Sequence, residues 1–234
     1  GKAFDGGDNK RVAGIDDSDL EPLASEDFAI SAWFKSDGAT TASTEYLVSK
    51  GGSGAGGYQI YFNTSGQVVC GIDDDTTSFP EDSATTTSDY YDGTWHHVVC
   101  TRDIAKDKLY LYIDGVLQAE DSDLSATGSL ATSLTFYLND QNATNGTDEF
   151  LGNIDEVRFY RLSINEDQVK LLYNQAAAAV WGANSTDSSN TPSWSNTDEY
   201  CPPGQGSSCT APVGEWKLDE NTGTTAYDTS ETGN

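Results

Sequence analysis

The chain has 234 residues, of which 38 are Asp or Glu and 12 are Lys or Arg, so its formal net charge is −26. A field of this sign repels phosphate backbones and anionic lipid headgroups, which excludes nucleic acid and membrane surfaces as favoured partners. No apolar run approaches the ~18 residues that a membrane span requires, and nothing resembles the core of a signal peptide. We therefore expect a piece of a longer precursor, without membrane insertion.

Residues 1–160 consist of short alternating segments separated by Gly, Asp, Asn, Ser and Thr, a pattern typical of all-β domains. In FAISAWFK (28–35) the apolar positions 28, 30, 32 and 34 alternate with Ala29, Ser31 and Trp33, which predicts a strand with at least one buried face. The GGSGAGG run (51–57) has almost no side chain to pack, so we expect a mobile connection between strands there.

The segment KLYLYIDGVLQAE (108–120) predicts a β-hairpin. Leu109, Leu111 and Ile113 face one way and the two tyrosines face the other, and Asp114-Gly115 is a favoured pair for a type I′ turn. Further along, EFLGNIDEVRFYRLS (149–163) alternates imperfectly, which predicts a strand with a bend near Gly152.

The periodicity changes at SINEDQVKLLY (163–173). Ser163 and Glu166 have the spacing of a capping box, and Val169, Leu172 and Tyr173 follow at helical spacing. The sequence therefore predicts an all-β fold, a two-sheet antiparallel β-sandwich of the jelly-roll type, with one short helix near residues 163–174.

The four cysteines, at positions 70, 100, 201 and 209, are not in the closely spaced pairs that zinc sites prefer. This favours disulfides and an extracellular, secreted or cell-surface location. Cys201 and Cys209 enclose PPGQGSS, and a bond between them would staple this loop. Cys70 and Cys100 both lie in apolar runs, so a cross-strand disulfide and two buried free thiols are the alternatives.

Three linked motifs follow FDGGDNKRV and FAISAWFK along the chain: DGTWHHVVCTRD (92–103), KLYLYIDGVLQ (108–118) and LGNIDEVRFYRLSINEDQVKLLYN (151–174). In this order and spacing they resemble the laminin G-like, pentraxin-like jelly-roll domains of the concanavalin A-like lectin and glucanase superfamily. The resemblance implies the fold more than the function, because the fold carries sugar binding, protein adhesion and hydrolysis alike.

The resemblance also implies a rotated element order, as in a circular permutant or an offset tandem repeat. The first strand and turn of such domains read like residues 216–234 and precede a segment like GKAFDGG, which opens this chain. We assign residues 1–174 to the main body, residues 175–212 to a Pro/Ser/Asn-rich linker, and residues 213–234 to the displaced first strand and turn. Since a missing strand leaves an open sheet edge, we expect this segment to complete its own sandwich, with a neighbouring copy as the alternative.

A structural Ca²⁺ is a further implication of the resemblance. The turn YDTSETGN and the strand NIDEVRFY hold the ion in similar domains, which nominates the carboxylates of Asp155 and Asp228 with oxygens from Gly233 and Asn234. Two carboxylates with carbonyl oxygens suit a hard cation. The alternative is that Asp228 caps the turn and Asp155 faces solvent.

Catalysis in the glucanases of this superfamily uses two carboxylates in the pattern Glu-x-Asp-x-x-Glu on one strand. The pattern is absent from this sequence. No Ser/His/Asp arrangement is indicated either, since the only histidines, His96 and His97, are adjacent on a strand and face opposite sides. We therefore expect no enzymatic activity.

Sugar recognition combines an exposed aromatic ring with polar side chains that bond hydroxyl groups. The candidate residues are Phe79, Tyr90, Tyr91, Trp181, Trp194, Tyr200 and, in the acidic run 73–75, Asp74. The first three aromatics have loop anchoring as an alternative role, the tryptophans attachment of the linker, and the acidic run a solvated loop or a second metal site.

We predict a lectin-like, non-catalytic module that binds a polysaccharide within a larger protein. A structural or adhesive repeat that binds protein is the alternative, with neighbouring copies of the domain as its partners. A divergent glycoside hydrolase or lyase is less favoured, because it requires a carboxylate pair that the sequence lacks.

Overall fold

The computed structural model describes residues 3–7, 10–14, 16–39, 43–52, 54–74, 79–141, 148–174 and 214–216. These residues form thirteen strands, a short 3₁₀ turn and one α-helix, α1 (Glu166–Asn174). The strands are β1 (Phe4–Asp5), β2 (Val12–Ala13), β3 (Phe28–Ser36), β4 (Glu45–Gly52), β5 (Gly56–Phe62), β6 (Val68–Asp73), β7 (Asp82–Thr85), β8 (Trp95–Asp103), β9 (Lys108–Ile113), β10 (Val116–Asp121), β11 (Tyr137–Leu138), β12 (Gly152–Tyr160) and β13 (Gly214–Trp216).

The strands pair into two antiparallel sheets. The first sheet has the order β1-β12-β3-β8-β9-β10, with β13 also paired to β12, and the second has the order β2-β11-β4-β5-β6-β7. Residues from both sheets meet in one apolar cluster, which includes Phe28 and Phe34 of β3 and Ile60 and Phe62 of β5, all 1% exposed or less. The predicted all-β antiparallel sandwich with one short helix is confirmed.

A disulfide joins Cys70 to Cys100, with their Cα atoms 5.8 Å apart. Cys70 lies on β6 and Cys100 on β8, and these strands belong to different sheets. The predicted bond is therefore present, but it crosses the core between sheets instead of joining neighbouring strands. This placement follows from the apolar setting of both cysteines, since each points inward from its own sheet.

Two hairpins differ in how well their turns were predicted. Asp114 and Gly115 both have positive φ (52° and 79°), as the predicted type I′ turn requires. The glycine run was expected to be a mobile link, but Gly51 and Gly57 pair in the ladder between β4 and β5. A Cβ atom at Gly51 would lie 2.0 Å from the carbonyl oxygen of Gly56, so the missing side chain permits the close strand contact.

The imperfect alternation of β12 reflects a β-bulge. Its pairing with β3 shifts between Asp155 and Arg158, and Glu156 has a positive φ of 51°. The extra residue returns Ile154, Val157 and Phe159 to the core although their spacing is uneven. The bend expected near Gly152 is present at Leu151, and the bulge is a second irregularity further along the strand.

Helix α1 begins three residues later than expected and is capped by a different pair. Asn165 and Gln168 exchange reciprocal hydrogen bonds of 2.8 and 3.0 Å between side chain and backbone, so the predicted Ser163–Glu166 box is wrong by two residues. Val169 and Leu172 are buried against the outer face of the first sheet. Within the described part of the chain, no helix combines the length and apolar character needed to cross a bilayer.

Strand β13 pairs antiparallel with β12, and Trp216 lies opposite Val157. The Trp216 side chain is 5% exposed and stacks on Phe136 with ring centroids 5.1 Å apart. The linker, its Cys201–Cys209 loop and residues 217–234 lie outside the described residues. The assignment of the complete segment 213–234 to this sandwich therefore stays a prediction.

Candidate functional site

The outer face of the first sheet, which points away from the core, is covered by helix α1 over part of its area. At the end of the helix, Tyr173 stacks on Trp33 of β3 at 5.6 Å, and His97 of β8 packs beside Trp33 at 5.2 Å. The next outward-facing positions on these strands, two residues along, are Lys35 on β3 and Trp95 on β8. The sheet is therefore open beyond the Tyr173 contact among the described residues.

Four side chains form a continuous row across this open part of the sheet. Asp5 of β1 is the register partner of Asn153 of β12, Asn153 is the partner of Lys35, and Lys35 is the partner of Trp95. Register partners on antiparallel strands point to the same face of a sheet. With strands about 4.8 Å apart, these four residues, here called the outer-face row, span about 14 Å.

A shallow cavity of about 510 Å³ lies at this row. Asp5, Lys35 and Asn153 line it, together with Asp37 and Gly93 from the loops that follow β3 and precede β8. Trp95 stands next to Lys35 and is 41% exposed, which is unusual for so large an aromatic side chain. The row thus combines carboxylate, amide and ammonium side chains whose residues line one depression with an exposed indole on the neighbouring strand.

Sequence reasoning missed Trp95 and Lys35. Trp95 lies in the DGTWHHVVCTRD motif, where no local pattern shows which of the residues are exposed. A usable signal was the alternation of β3 and β8, in which Lys35 and Trp95 fall on the faces opposite to the buried Phe34 and Val98. The register that brings the two together is not visible in either strand alone.

The sequence-predicted sugar contacts that the structure describes each touch another part of the chain. Tyr91 is 3% exposed and donates its hydroxyl proton to the Glu45 carboxylate, and burial raises the pKa of Tyr91. Tyr90 is half-buried and packs edge-on against His96 at 5.1 Å. The Asp74 carboxylate accepts the backbone N–H of Gly128. Loop anchoring, the alternative role of the two tyrosines, agrees with these contacts, and sugar binding by Tyr90, Tyr91 and Asp74 stays a prediction.

Phe79 is likewise half-buried beside the β6 strand, where a Cβ at Gly71 would meet its ring at 3.2 Å. The remaining aromatic candidates, Trp181, Trp194 and Tyr200, lie outside the described residues. The same holds for Cys201 and Cys209.

Of the predicted calcium ligands, the structure describes Asp155 alone. It lies at the β12 bulge, where its Oδ1 accepts the N–H of Glu156 at 2.9 Å. Asp228, Gly233 and Asn234 lie outside the described residues. Among the residues that are described, no three His, Cys, Asp or Glu side chains come together in a cluster suited to a metal ion.

Thr94, His96 and Asp114 satisfy the distances of a nucleophile, histidine and carboxylate triad, which the sequence did not indicate. Thr94 Oγ1 lies 2.9 Å from His96 Nε2, and His96 Nδ1 lies 2.7 Å from Asp114 Oδ2. The hydrogen bond to Asp114 raises the pKa of His96, with Asp92 adding to the rise. Asp92 and Asp114 hold the imidazole beside Thr94, and these contacts tie the loop before β8 to the turn between β9 and β10.

His97 lies on the opposite face of β8, as its adjacency to His96 predicts. Its side chain is 1% exposed, and burial lowers its pKa to about 3, with the nearby Arg158 guanidinium contributing. The imidazole is therefore neutral over the physiological range and is enclosed by Trp33 and Tyr173.

A family model described as the Concanavalin A-like lectin/glucanases superfamily matches residues 6–170, which include three of the four residues of the outer-face row. No curated protein matches the sequence.

Solved structures with the same fold share little sequence with the chain. A candidate carbohydrate binding protein from Bacteroides ovatus has a TM-score of 0.57 at 15% identity, covering 97% of this chain and 55% of that one. The IT-sialidase CBM40 of Ruminococcus gnavus has a TM-score of 0.54 at 16% identity, covering 74% and 98%. The heptameric SAP-like pentraxin of Limulus polyphemus has a TM-score of 0.50 at 11% identity, covering 73% and 80%.

These identities support the fold alone. The chain spans between 36% and 45% of the length of three further matched structures, so their whole activities do not transfer to it.

Proposed function

The chain belongs to the laminin G-like part of the concanavalin A-like lectin/glucanases superfamily, and from that premise we propose that it is a non-catalytic module that binds a polysaccharide through the outer-face row. The observation that carries this proposal is the exposed Trp95 next to Lys35, which lines a polar cavity on the open part of the sheet. An indole face stacks on the apolar face of a sugar ring, and flanking polar groups bond its hydroxyls.

The arrangement of donors and acceptors supports this reading. Asp5 and Asp37 accept hydrogen bonds from hydroxyl groups, Lys35 donates, and Asn153 does both. A row of about 14 Å is long enough to contact several consecutive sugars of a chain. Two of the structural neighbours are named for carbohydrate binding, one as a CBM, a carbohydrate-binding module, and one as a candidate carbohydrate binding protein.

A polysaccharide panel tests the proposal. The purified chain is passed over immobilised plant, algal and microbial polysaccharides, and Trp95→Ala is expected to weaken the binding that is found by at least about tenfold. Leu117→Ala is the matched control, because Leu117 is also exposed (40%) but lies on β10 at the far edge of the sheet.

Trp181→Ala, Trp194→Ala and Tyr200→Ala are measured in parallel, since these residues are the other aromatic candidates. Loss of binding in one of them with Trp95→Ala unaffected would move the site away from the outer-face row. If the folded chain binds none of the polysaccharides, the result would favour the adhesive alternative, a repeat that binds protein. Hydrolysis or elimination products from any polysaccharide would overturn the non-catalytic assignment.

An extracellular location belongs to the same proposal. The Cys70–Cys100 bond supports it, because disulfides persist in oxidising compartments.

A structural Ca²⁺ is proposed as well, held by Asp155 and Asp228 with oxygens from Gly233 and Asn234. The support from the described residues is the carboxylate of Asp155, a hard oxygen donor at a strand irregularity. Such an ion would tie the segment after β13 to strand β12.

A further inference from the structure

Lys35 is set apart from the other basic side chains in the part of the chain that the structure describes. It makes no hydrogen bond or ion pair with any of these residues, although the protein carries 38 acidic residues against 12 basic ones. The other described lysines and arginines all have partners: Lys10, Arg11, Lys50, Lys106, Lys108, Arg158, Arg161 and Lys170 pair with carboxylates, and Arg102 bonds backbone carbonyls.

The two carboxylates that line the same cavity each accept one hydrogen bond from a residue other than Lys35 and keep acceptor sites free for sugar hydroxyls. Asp5 accepts a hydrogen bond from Lys10 Nζ at 2.7 Å, and Asp37 Oδ1 accepts the N–H of Ala39 at 2.8 Å. Lys35 is only partly exposed, because it lies between Asn153 and Trp95 on the neighbouring strands. Among the described residues its three N–H donors have no partner, and Lys35 is the one basic residue that lines the cavity.

We infer that the glycan bound by the outer-face row carries a negatively charged sugar, whose carboxylate or sulfate ester pairs with Lys35 while a sugar ring stacks on Trp95. This inference rests on the proposed function. A charge-assisted hydrogen bond in a partly desolvated site is stronger than a neutral one, so the anionic group decides which glycan is preferred.

The net charge of −26 opposes an anionic ligand at long range, while Lys35 attracts it at contact. The two effects respond differently to salt. Raising the ionic strength from about 0.01 M to about 0.15 M shortens the Debye length from about 30 Å to about 8 Å, which screens the distant carboxylates and leaves the contact in the cavity. Binding of the charged glycan is therefore expected to strengthen over this range, opposite to the behaviour of a basic-patch protein.

The test uses paired probes that differ in charge alone. Polygalacturonate and its carboxyl-reduced form test the carboxylate, and dextran sulfate and dextran test the sulfate. Lys35→Gln is expected to weaken binding of the preferred charged probe by about tenfold or more. Lys35→Arg is expected to retain it. Lys170→Gln, on the exposed face of α1, is the matched control and is expected to bind as the unchanged chain does.

The possible outcomes distinguish the inference about Lys35 from the proposed function of glycan binding. Preference for a charged probe over its neutral partner, lost in Lys35→Gln and kept in Lys35→Arg, supports the inference and identifies the anionic group. Binding of neutral glycans that needs Trp95 but is indifferent to Lys35 overturns the inference and leaves the proposed function standing. If neither the charged nor the neutral probes bind, the inference and the proposed function are both overturned. If binding of the charged probe only weakens as salt is added, the electrostatic argument for Lys35 is contradicted.

Discussion

Cys70 on β6 and Cys100 on β8 lie across the core from each other and are joined by a disulfide between the two sheets. The bond closes a loop of 30 residues that contains β7 and the segment before β8. In the chain-entropy account, a crosslink of this length stabilises a protein by about 3 to 4 kcal/mol, because it restricts the unfolded chain. The two halves of the sandwich are therefore held by a covalent link as well as by apolar packing.

Replacing both cysteines by alanine is expected to lower the free energy of unfolding by about 3 to 4 kcal/mol. Urea unfolding followed by tryptophan fluorescence measures the change, and the unchanged chain treated with a reductant is the matched control. Equal midpoints for the oxidised and reduced chain would contradict a stabilising bond.

His97 is expected to lower stability in acid. Its pKa falls from 6.5 unfolded to about 3 in the folded chain, so between these values the unfolded chain binds a proton that the folded chain does not. Stability then decreases as the pH falls below about 6.5, by up to about 1.4 kcal/mol per pH unit. His97→Phe keeps an aromatic ring beside Trp33 and removes the titration. From pH 6 towards pH 4, the unfolding free energy of the unchanged chain should fall relative to that of His97→Phe by up to about 1.4 kcal/mol per pH unit.

His96 is expected to stabilise the folded chain at low pH, which is opposite to the effect of His97. The hydrogen bond to Asp114 raises its folded pKa above 6.5, so its contribution is complete below that pH and is lost as the pH rises through the raised value. The stability difference between the unchanged chain and His96→Gln should shrink from pH 6 to pH 9. Asp123→Asn, an exposed acidic site, is the control and should show no such trend. A difference that grows with pH would contradict the Asp114 contact as its source.

Much of the fold could be predicted because its signals are local. The alternation of β3 and the Asp114-Gly115 turn each depend on residues close in sequence, and both are confirmed. The cap of α1 was misplaced because Ser163 and Asn165 are both competent N-cap residues, and only the packing of Val169 and Leu172 decides between them.

The site could not be predicted in the same way, because its members come from four distant strands. Asp5, Lys35, Trp95 and Asn153 meet through register alone, and a slip of one residue would turn any of them to the other face. Tyr91 shows that burial, too, can depend on a contact that is distant in sequence. It reads as a loop aromatic, yet its hydroxyl reaches Glu45, 46 positions earlier, and this contact buries it.

Calcium is expected to raise the unfolding temperature, since an ion bound only by the folded chain stabilises it by mass action. Asp155→Asn and Asp228→Asn should each abolish the rise, while Asp123→Asn should keep it. Thermal unfolding in CaCl₂, in MgCl₂ and in EDTA provides the measurement. If calcium still raises the unfolding temperature after both substitutions, the ion binds elsewhere. If the unfolding curves in CaCl₂ and EDTA are identical, the calcium proposal is wrong.

Trp216 is expected to be the main anchor of β13. Its ring is 5% exposed and stacks on Phe136, so Trp216→Ala should lower the free energy of unfolding by about 3 to 5 kcal/mol. Trp95→Ala, the same change at an exposed ring, should change the free energy of unfolding by no more than about 0.5 kcal/mol.

Unfolding midpoints measured over a range of protein concentrations show whether segment 213–234 completes its own sandwich or that of a neighbouring copy. A strand that completes its own sandwich gives midpoints independent of concentration, whereas exchange between copies gives midpoints that rise with concentration and a dimer in sedimentation.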